Sequence, residues 1–300
     1  MRNNEASSIN THSQPLKHDT NIIVVLFTMS GTIFLNASFR VRFPRQARRP
    51  APVEPTPLTI PTPRPHWASL QADIEAHLKQ TIPIKEPLEV YEPMHRLAFA
   101  APRSAAPALC LAACELVGGE RRQAMDAAAA LLLNLANAQA HEGLGLSEGS
   151  NIALLSGDGI VPLGFELLAR GDGSGRGSPE RVMRVIIEIS RAVGSLGLID
   201  SLHMKKTGTG ELESVKRVVE KGEGGLHACG GACGAVLGGG SEEEIEGLRR
   251  FGFHVGMMRG MAQRGFDEED VEEHRNLALK ELHLFKDKDL RVISTFLNFY

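Results

Sequence analysis

The chain has 300 residues, 42% of them hydrophobic and 23% charged, with a net charge of −3. That balance suits a soluble globular protein with a sizeable core, and it offers no basic face for nucleic acid. The longest apolar run near the start, Ile22 to Phe27, is far shorter than the ~20 residues of a membrane helix, so no membrane span is expected.

Residues 1–65 read differently from the rest. From Arg40 to Arg64 the chain carries Arg42, Arg45, Arg48 and Arg49 among many prolines, with Glu54 as its only acid, a composition expected to be disordered. The stretch from Met29 onward is Arg-rich, acid-poor and rich in small and hydroxylated residues, as organelle transit peptides are. An ordinary basic, Pro-rich tail has the same look. Past Pro65 the helical period takes over: Leu70, Ile74 and Leu78 fall at i, i+4, i+8, which predicts an amphipathic helix. "APALCLAACELVGG" and "RRQAMDAAAALLLNLANAQAH" predict two buried helices joined at Gly118 and Gly119. Ser178, Pro179 and Glu180 mark the start of another. Ser241 and Glu244 form a capping box before a helix that places Ile245, Leu248, Gly252, Val255 and Ala262 on one side. Alternating strand patterns are almost absent. The fold expected is all-α, a bundle of long helices in one domain over residues 66–300.

The only four cysteines form two C-x3-C pairs, Cys110 with Cys114 and Cys229 with Cys233. On a helix each pair sets two thiols one turn apart on one face. Four thiolates could hold zinc, although such sites usually sit on tight turns, and thiol redox chemistry is a second reading. A third takes cysteine as a small buried hydrophobe that, beside Ala and Gly, lets two helices approach closely. His203, His227 and His254 have no partner at ligand spacing in the sequence and are assigned no role. "RGDGSGRGS", Arg170 to Ser178, lacks the Gly-Lys-Ser/Thr ending of a phosphate loop and reads as a connection between helices. The methionine run from Met257 is expected to line the core, with an adaptable docking surface as the alternative.

The order of motifs, "CLAACELVGGE", then "LLSGDGIVPLGFELLA", then "GAVLGGGSEEEIEGLRRFG", resembles the trans-prenyltransferases that make geranyl and geranylgeranyl diphosphate. The resemblance implies an isoprenoid-synthase-type helical bundle. It also implies two Asp-rich motifs on facing helices, which hold magnesium and an allylic diphosphate for attack by isopentenyl diphosphate. At each such place this chain departs. Where the first Asp-rich motif belongs it has Glu142, Gly143 and Glu148; where the second belongs it has Gln263 and Arg264, with only Asp267 remaining. Of the basic clamp for isopentenyl diphosphate, Arg103 alone is kept, and the family's Lys-Thr pair is Gly222 and Glu223. Magnesium binding is therefore expected to be lost, leaving no cofactor.

With its two C-x3-C motifs the chain is similar to the non-catalytic small subunits of plant heterodimeric geranyl/geranylgeranyl diphosphate synthases. That resemblance implies a plastid location and a catalytic large subunit as partner, whose activity or product length the small subunit changes. It also places Cys110, Cys114, Cys229 and Cys233 at the partner interface. Two other readings stay open: a short-chain prenyltransferase of residual activity, with Glu142, Glu148 and Asp267 binding magnesium weakly, and a stand-alone zinc or thiol-redox module.

Overall fold

A computed structural model describes residues 67–100, 104–142, 150–170, 178–208 and 210–298. These belong to the second of two units, divided between Thr59 and Ile60. The expected tail and transit segment, Arg103, Glu148 and most of the glycine-rich connection lie outside the described residues.

Every regular element among the described residues is helical. In chain order they are α1 (Trp67–Thr81), α2 (Leu88–Phe99), α3 (Ala106–Leu116), α4 (Arg121–Glu142), α5 (Ser150–Ala169) and α6 (Pro179–Val193). There follow α7 (Leu198–Thr207), α8 (Leu212–Val219), α9 (Gly225–Gly238), α10 (Glu242–Gln263), α11 (Glu268–Glu281) and α12 (Arg291–Ser294). A π-helical turn, Glu220–Gly224, joins α8 to α9. The expected faces are largely found. Leu70, Ile74 and Leu78 are fully buried on α1, and the Ala- and Leu-rich α3 and α4 form the centre of the core. The capping box at Ser241 closes both ways, with Glu244 N–H donating to the Ser241 hydroxyl at 3.2 Å and Ser241 N–H to the Glu244 carboxylate at 2.8 Å.

Two local details differ from the expected pattern, and a third was not foreseen. Ala262 is exposed, because over six turns the buried stripe of α10 drifts onto Met257, Met258 and Met261, which line the core. Ser178 precedes α6 in extended backbone but caps no backbone N–H; its hydroxyl bonds Glu180 and holds that carboxyl below its usual range. The C-terminal run buries Ile293, Phe296 and Leu297, so it is a packed part of the core.

The centre of the bundle is α9, which touches α3 on one side and α10 on the other. A Cβ on Gly234 would lie 2.0 Å from the carbonyl oxygen of Cys110, and one on Gly231 would lie 2.2 Å from that of Leu248. Gly230 and Gly238 repeat the α3 contact one turn away on each side, against the Ala106 and Cys114 carbonyls. Glycine is needed on both sides because only a residue without Cβ lets two helix backbones come this close.

Against the expectation of no membrane-spanning segment, one helix among the described residues passes the test of length and composition. Residues Asn151–Ala169 of α5, with a mean hydropathy of 1.6, are long and apolar enough to cross a membrane by length and composition. Part of that apolarity serves the fold: Ala153, Ile160, Leu167 and Leu168 are buried, and Gly164 packs on Ala130 of α4. The rest faces outward, with Ile152 and Leu155 exposed.

Candidate functional site

A cavity of about 250 Å³ opens between the C-terminal half of α4, α7, the π-helical turn, the start of α9 and the end of α10. Glu142, Gln263 and Arg264 meet on its wall, together with Glu223, His227 and Arg259. Two ion pairs on this wall are made within the chain. Lys205 Nζ donates to the Glu142 carboxylate at 2.9 Å, and the Arg264 guanidinium donates to Glu223 at 3.1 Å and to the Gly260 carbonyl at 3.0 Å. Asp267 is not on this wall; it is the exposed residue preceding α11, whose first turn, Glu268, Glu269 and Asp270, is acidic as its helix N-terminus favours.

His227 is the most informative group in the cavity. Its Nδ1 lies 2.7 Å from the Glu223 carbonyl oxygen, and since a carbonyl only accepts, Nδ1 carries the proton of the neutral ring. That leaves Nε2 as a bare acceptor, buried and without a partner. Burial, and next the positive charge of Arg259, hold the imidazole down at about 4. A folded-state value below the unfolded 6.5 adds stability above pH 6.5 and loses it as pH falls towards 4. Urea unfolding at pH 7.5 and 4.5 is expected to show about 2.5 kcal/mol of acid destabilisation that His227→Phe lacks.

Magnesium requires several hard oxygen donors in near-octahedral geometry. Here the cavity carboxylates are engaged by Lys205 and Arg264, a guanidinium stands among them, and no three His, Cys, Asp or Glu side chains among the described residues are placed to share an ion. The donors present do not fit that metal.

The cysteines form a separate cluster where α3 meets α9. All four are buried, and Cys229 and Cys233 approach with their sulfurs 3.6 Å apart, hydrogen-bonded and free rather than bridged. Burial pushes Cys114 up to about 12, with Glu115 adding to it. Cys110 is raised well above the usual thiol range by burial, and Cys233 by its hydrogen bond with Cys229 and by burial. Nucleophilic and metal-binding chemistry needs thiolates, and this environment keeps the protons on Cys110, Cys114 and Cys233. In the chain itself these side chains lie inside the α3–α9 contact, because Cys, Ala and Gly at successive turns let the two helices close over them. An aromatic disulfide reagent is expected to find no reactive thiol in the native protein and four after denaturation.

No family model matches the chain. It is 46% identical over 256 residues to a protein of Cannabis sativa named heterodimeric geranylgeranyl pyrophosphate synthase small subunit 2, chloroplastic, over 77% of this chain and 89% of that protein. The chain belongs to the small subunits of heterodimeric geranylgeranyl pyrophosphate synthases. Two solved structures agree with this small subunit in fold and sequence. One is a deletion mutant of the mint heterotetrameric geranyl pyrophosphate synthase, with a TM-score of 0.72 and 48% identity over 78% of this chain and 99% of that one. The other is the geranyl diphosphate synthase small subunit of Antirrhinum majus, with a TM-score of 0.70 and 44% identity over 78% and 97%.

Of the positions where this small subunit departs from the synthase pattern, Glu142, Gln263 and Arg264 come together in the cavity, and the structure adds three that sequence reasoning missed. Lys205 gave no signal, since its partner Glu142 is distant in sequence. Gln139 has a buried, unpaired Oε1 in the same cavity; it stands i−3 from Glu142 on α4, a spacing that could have pointed to it. His227 was set aside as a lone histidine, yet it stands i+4 from Glu223, the same relation one turn along. His254 also needs correction: its Nδ1 lies 3.0 Å from Nδ1 of His274 on α11, a partner invisible at local spacing. Arg264→Asp is expected to cost about 1 kcal/mol, because it sets two carboxylates together in a partly exposed place. Adding Glu223→Lys should recover most of that loss, as a double-mutant cycle in urea would measure.

Proposed function

We propose that this small subunit forms no prenyl product itself. It binds a catalytic geranylgeranyl pyrophosphate synthase large subunit in the plastid and changes that partner's activity or product length. The observation that supports this reading most is the internal matching of charge in the cavity. Glu142 is bound to Lys205 and Glu223 to Arg264, so both carboxylates and two of the three cations on the wall are already engaged within the chain. A diphosphate desolvated without such partners costs several kcal/mol. Magnesium and both substrates are then held by the large subunit.

The surface that meets the partner is formed by α5 and α6. These helices touch each other, and they expose Ile152 and Leu155 on α5, and Met183 and Ile187 on α6. Exposed apolar side chains concentrated on neighbouring helices mark an interaction surface. The thiol cluster lies behind it: α6 packs on α9, and Glu188 of α6 is close enough to act electrostatically on Cys233. The cysteine pairs thus support association indirectly, by setting the α3–α9 contact on which α6 rests.

The plastid location rests on relatives named chloroplastic and on the transit-like composition of the N-terminal region; imaging of the full chain with a C-terminal fluorescent fusion tests it. Co-expression with a large subunit tests the function, read by co-purification and product chain length. Converting all four cysteines to serine is expected to lower stability, since a hydroxyl left unpaired in a dry contact costs ~1 to 3 kcal/mol, and to weaken the complex in step. A complex lost with the chain's own stability unchanged would mean that the thiols meet the partner directly.

A further inference from the structure

The cavity has a volume of about 250 Å³ and an apolar wall, and His227 on that wall carries a hydrogen-bond acceptor that nothing in the chain satisfies. Leu135, Ala138, Leu198 and Leu226 belong to a small hydrophobic cluster set apart from the main core, and all four face the cavity. A dry site of ~150 Å³ accommodates benzene, so about 250 Å³ has room for roughly ten heavy atoms by the same measure. At the polar end, His227 Nε2 is buried and unpartnered. Its tautomer is fixed by the Glu223 carbonyl on Nδ1, so any group that completes it must donate a proton. The Gln139 amide, whose Oε1 is also unpaired, can turn to accept or to donate.

These requirements sort ligands by charge. An anion brings only acceptors to Nε2, so it leaves that atom unsatisfied, and of the three cations on the wall two, Lys205 and Arg264, are held by Glu142 and Glu223. An ammonium group could donate to Nε2 but would share the cavity with Arg259, whose charge already acts on His227. A hydroxyl meets both needs, donating to Nε2 while keeping lone pairs for the Gln139 amide. We propose that this cavity binds a neutral aliphatic alcohol of about ten heavy atoms, with the hydroxyl on His227 Nε2 and the chain along Leu135, Ala138, Leu198 and Leu226. The inference rests on the reading that the cavity no longer holds a diphosphate. Prenyl transfer by the isolated chain would overturn that reading, whereas a lack of alcohol binding would overturn this inference alone.

The test is calorimetric titration of the full chain with n-octanol, octylammonium and octyl phosphate, each below its aggregation concentration. The alcohol is expected to bind saturably at one site, at least about tenfold more tightly than either charged analogue. His227→Phe should lose about tenfold in alcohol affinity, and Ala138→Phe, which fills the cavity, should abolish binding. A readout on the unaltered protein stands beside these variants: the ¹⁵N resonance of His227 Nε2 should move as the alcohol binds, as a nitrogen accepting a new hydrogen bond does. No saturable binding, equal affinity for octyl phosphate, or bound alcohol with an unmoved Nε2 resonance would each overturn the assignment.

Discussion

Gly234→Val is expected to leave the chain unfolded or molten at 25 °C, with at least about 4 kcal/mol of stability lost. The new Cβ would sit 2.0 Å from the Cys110 carbonyl oxygen, where carbon contacts ordinarily begin near ~3.5 Å. The obstacle is helix backbone, so no side chain can rotate away. The α3–α9 contact would have to open by more than about 1 Å, unpacking the buried cysteines and stripping neighbouring contacts of much of their attraction. Against a total stability of ~5 to 15 kcal/mol, that loss decides whether the protein folds. Gly225→Ala in the same helix is the contrasting control. Its Cβ would meet nothing nearer than the Glu220 carbonyl oxygen at 3.7 Å, so alanine's helix propensity should add about 0.5 to 1 kcal/mol. Chemical denaturation of both variants reads the difference, and equal stabilities would refute the close-packed account of the C-x3-C motifs.

Leu155→Asp combined with Ile187→Asp is expected to weaken binding to a catalytic large subunit at least a hundredfold, about 3 kcal/mol, while leaving the free chain as stable as before. Leu155 is 69% and Ile187 43% exposed in the chain alone, so neither change removes much packing from the fold. In a complex each side chain would give up the ~1.5 to 3 kcal/mol gained by burying a Leu or Ile, and each aspartate would add a carboxylate to be desolvated. Solubility should rise as apolar surface is lost. Pull-down or calorimetry with the large subunit measures the affinity. Unchanged affinity would move the interface away from α5 and α6.

Much of the bundle was legible in the sequence because local spacing carries it. The i, i+4, i+8 burial of Leu70, Ile74 and Leu78 and the reciprocal cap at Ser241 need only a few residues to recognise. That Glu142, Gln263 and Arg264 fall on one cavity wall follows from the motif order, and the expectation of lost magnesium turns on residue identity: Gln263 and Arg264 cannot do what paired aspartates do. What the sequence concealed was long-range. Nothing local reveals that Lys205 neutralises Glu142, that His254 faces His274, or that both C-x3-C motifs close on one internal contact. The nearest signal was the alternation of Cys with Gly at positions 229, 230, 233 and 234, a small-residue pattern that suits an outer or an inner helix contact equally well. Only the placement of α9 between α3 and α10 decides between them.

The central claim is that this chain acts through a catalytic partner because its own cavity can grip neither magnesium nor a diphosphate. Its most direct test is product formation from isopentenyl and allylic diphosphates with magnesium, followed from the pure small subunit, through mixtures, to a pure large subunit. The account predicts background product from the small subunit alone, with mixtures that differ from the large subunit in rate or chain length up to a fixed stoichiometry. Turnover by the isolated small subunit, or mixtures that match the large subunit at every ratio, would contradict it.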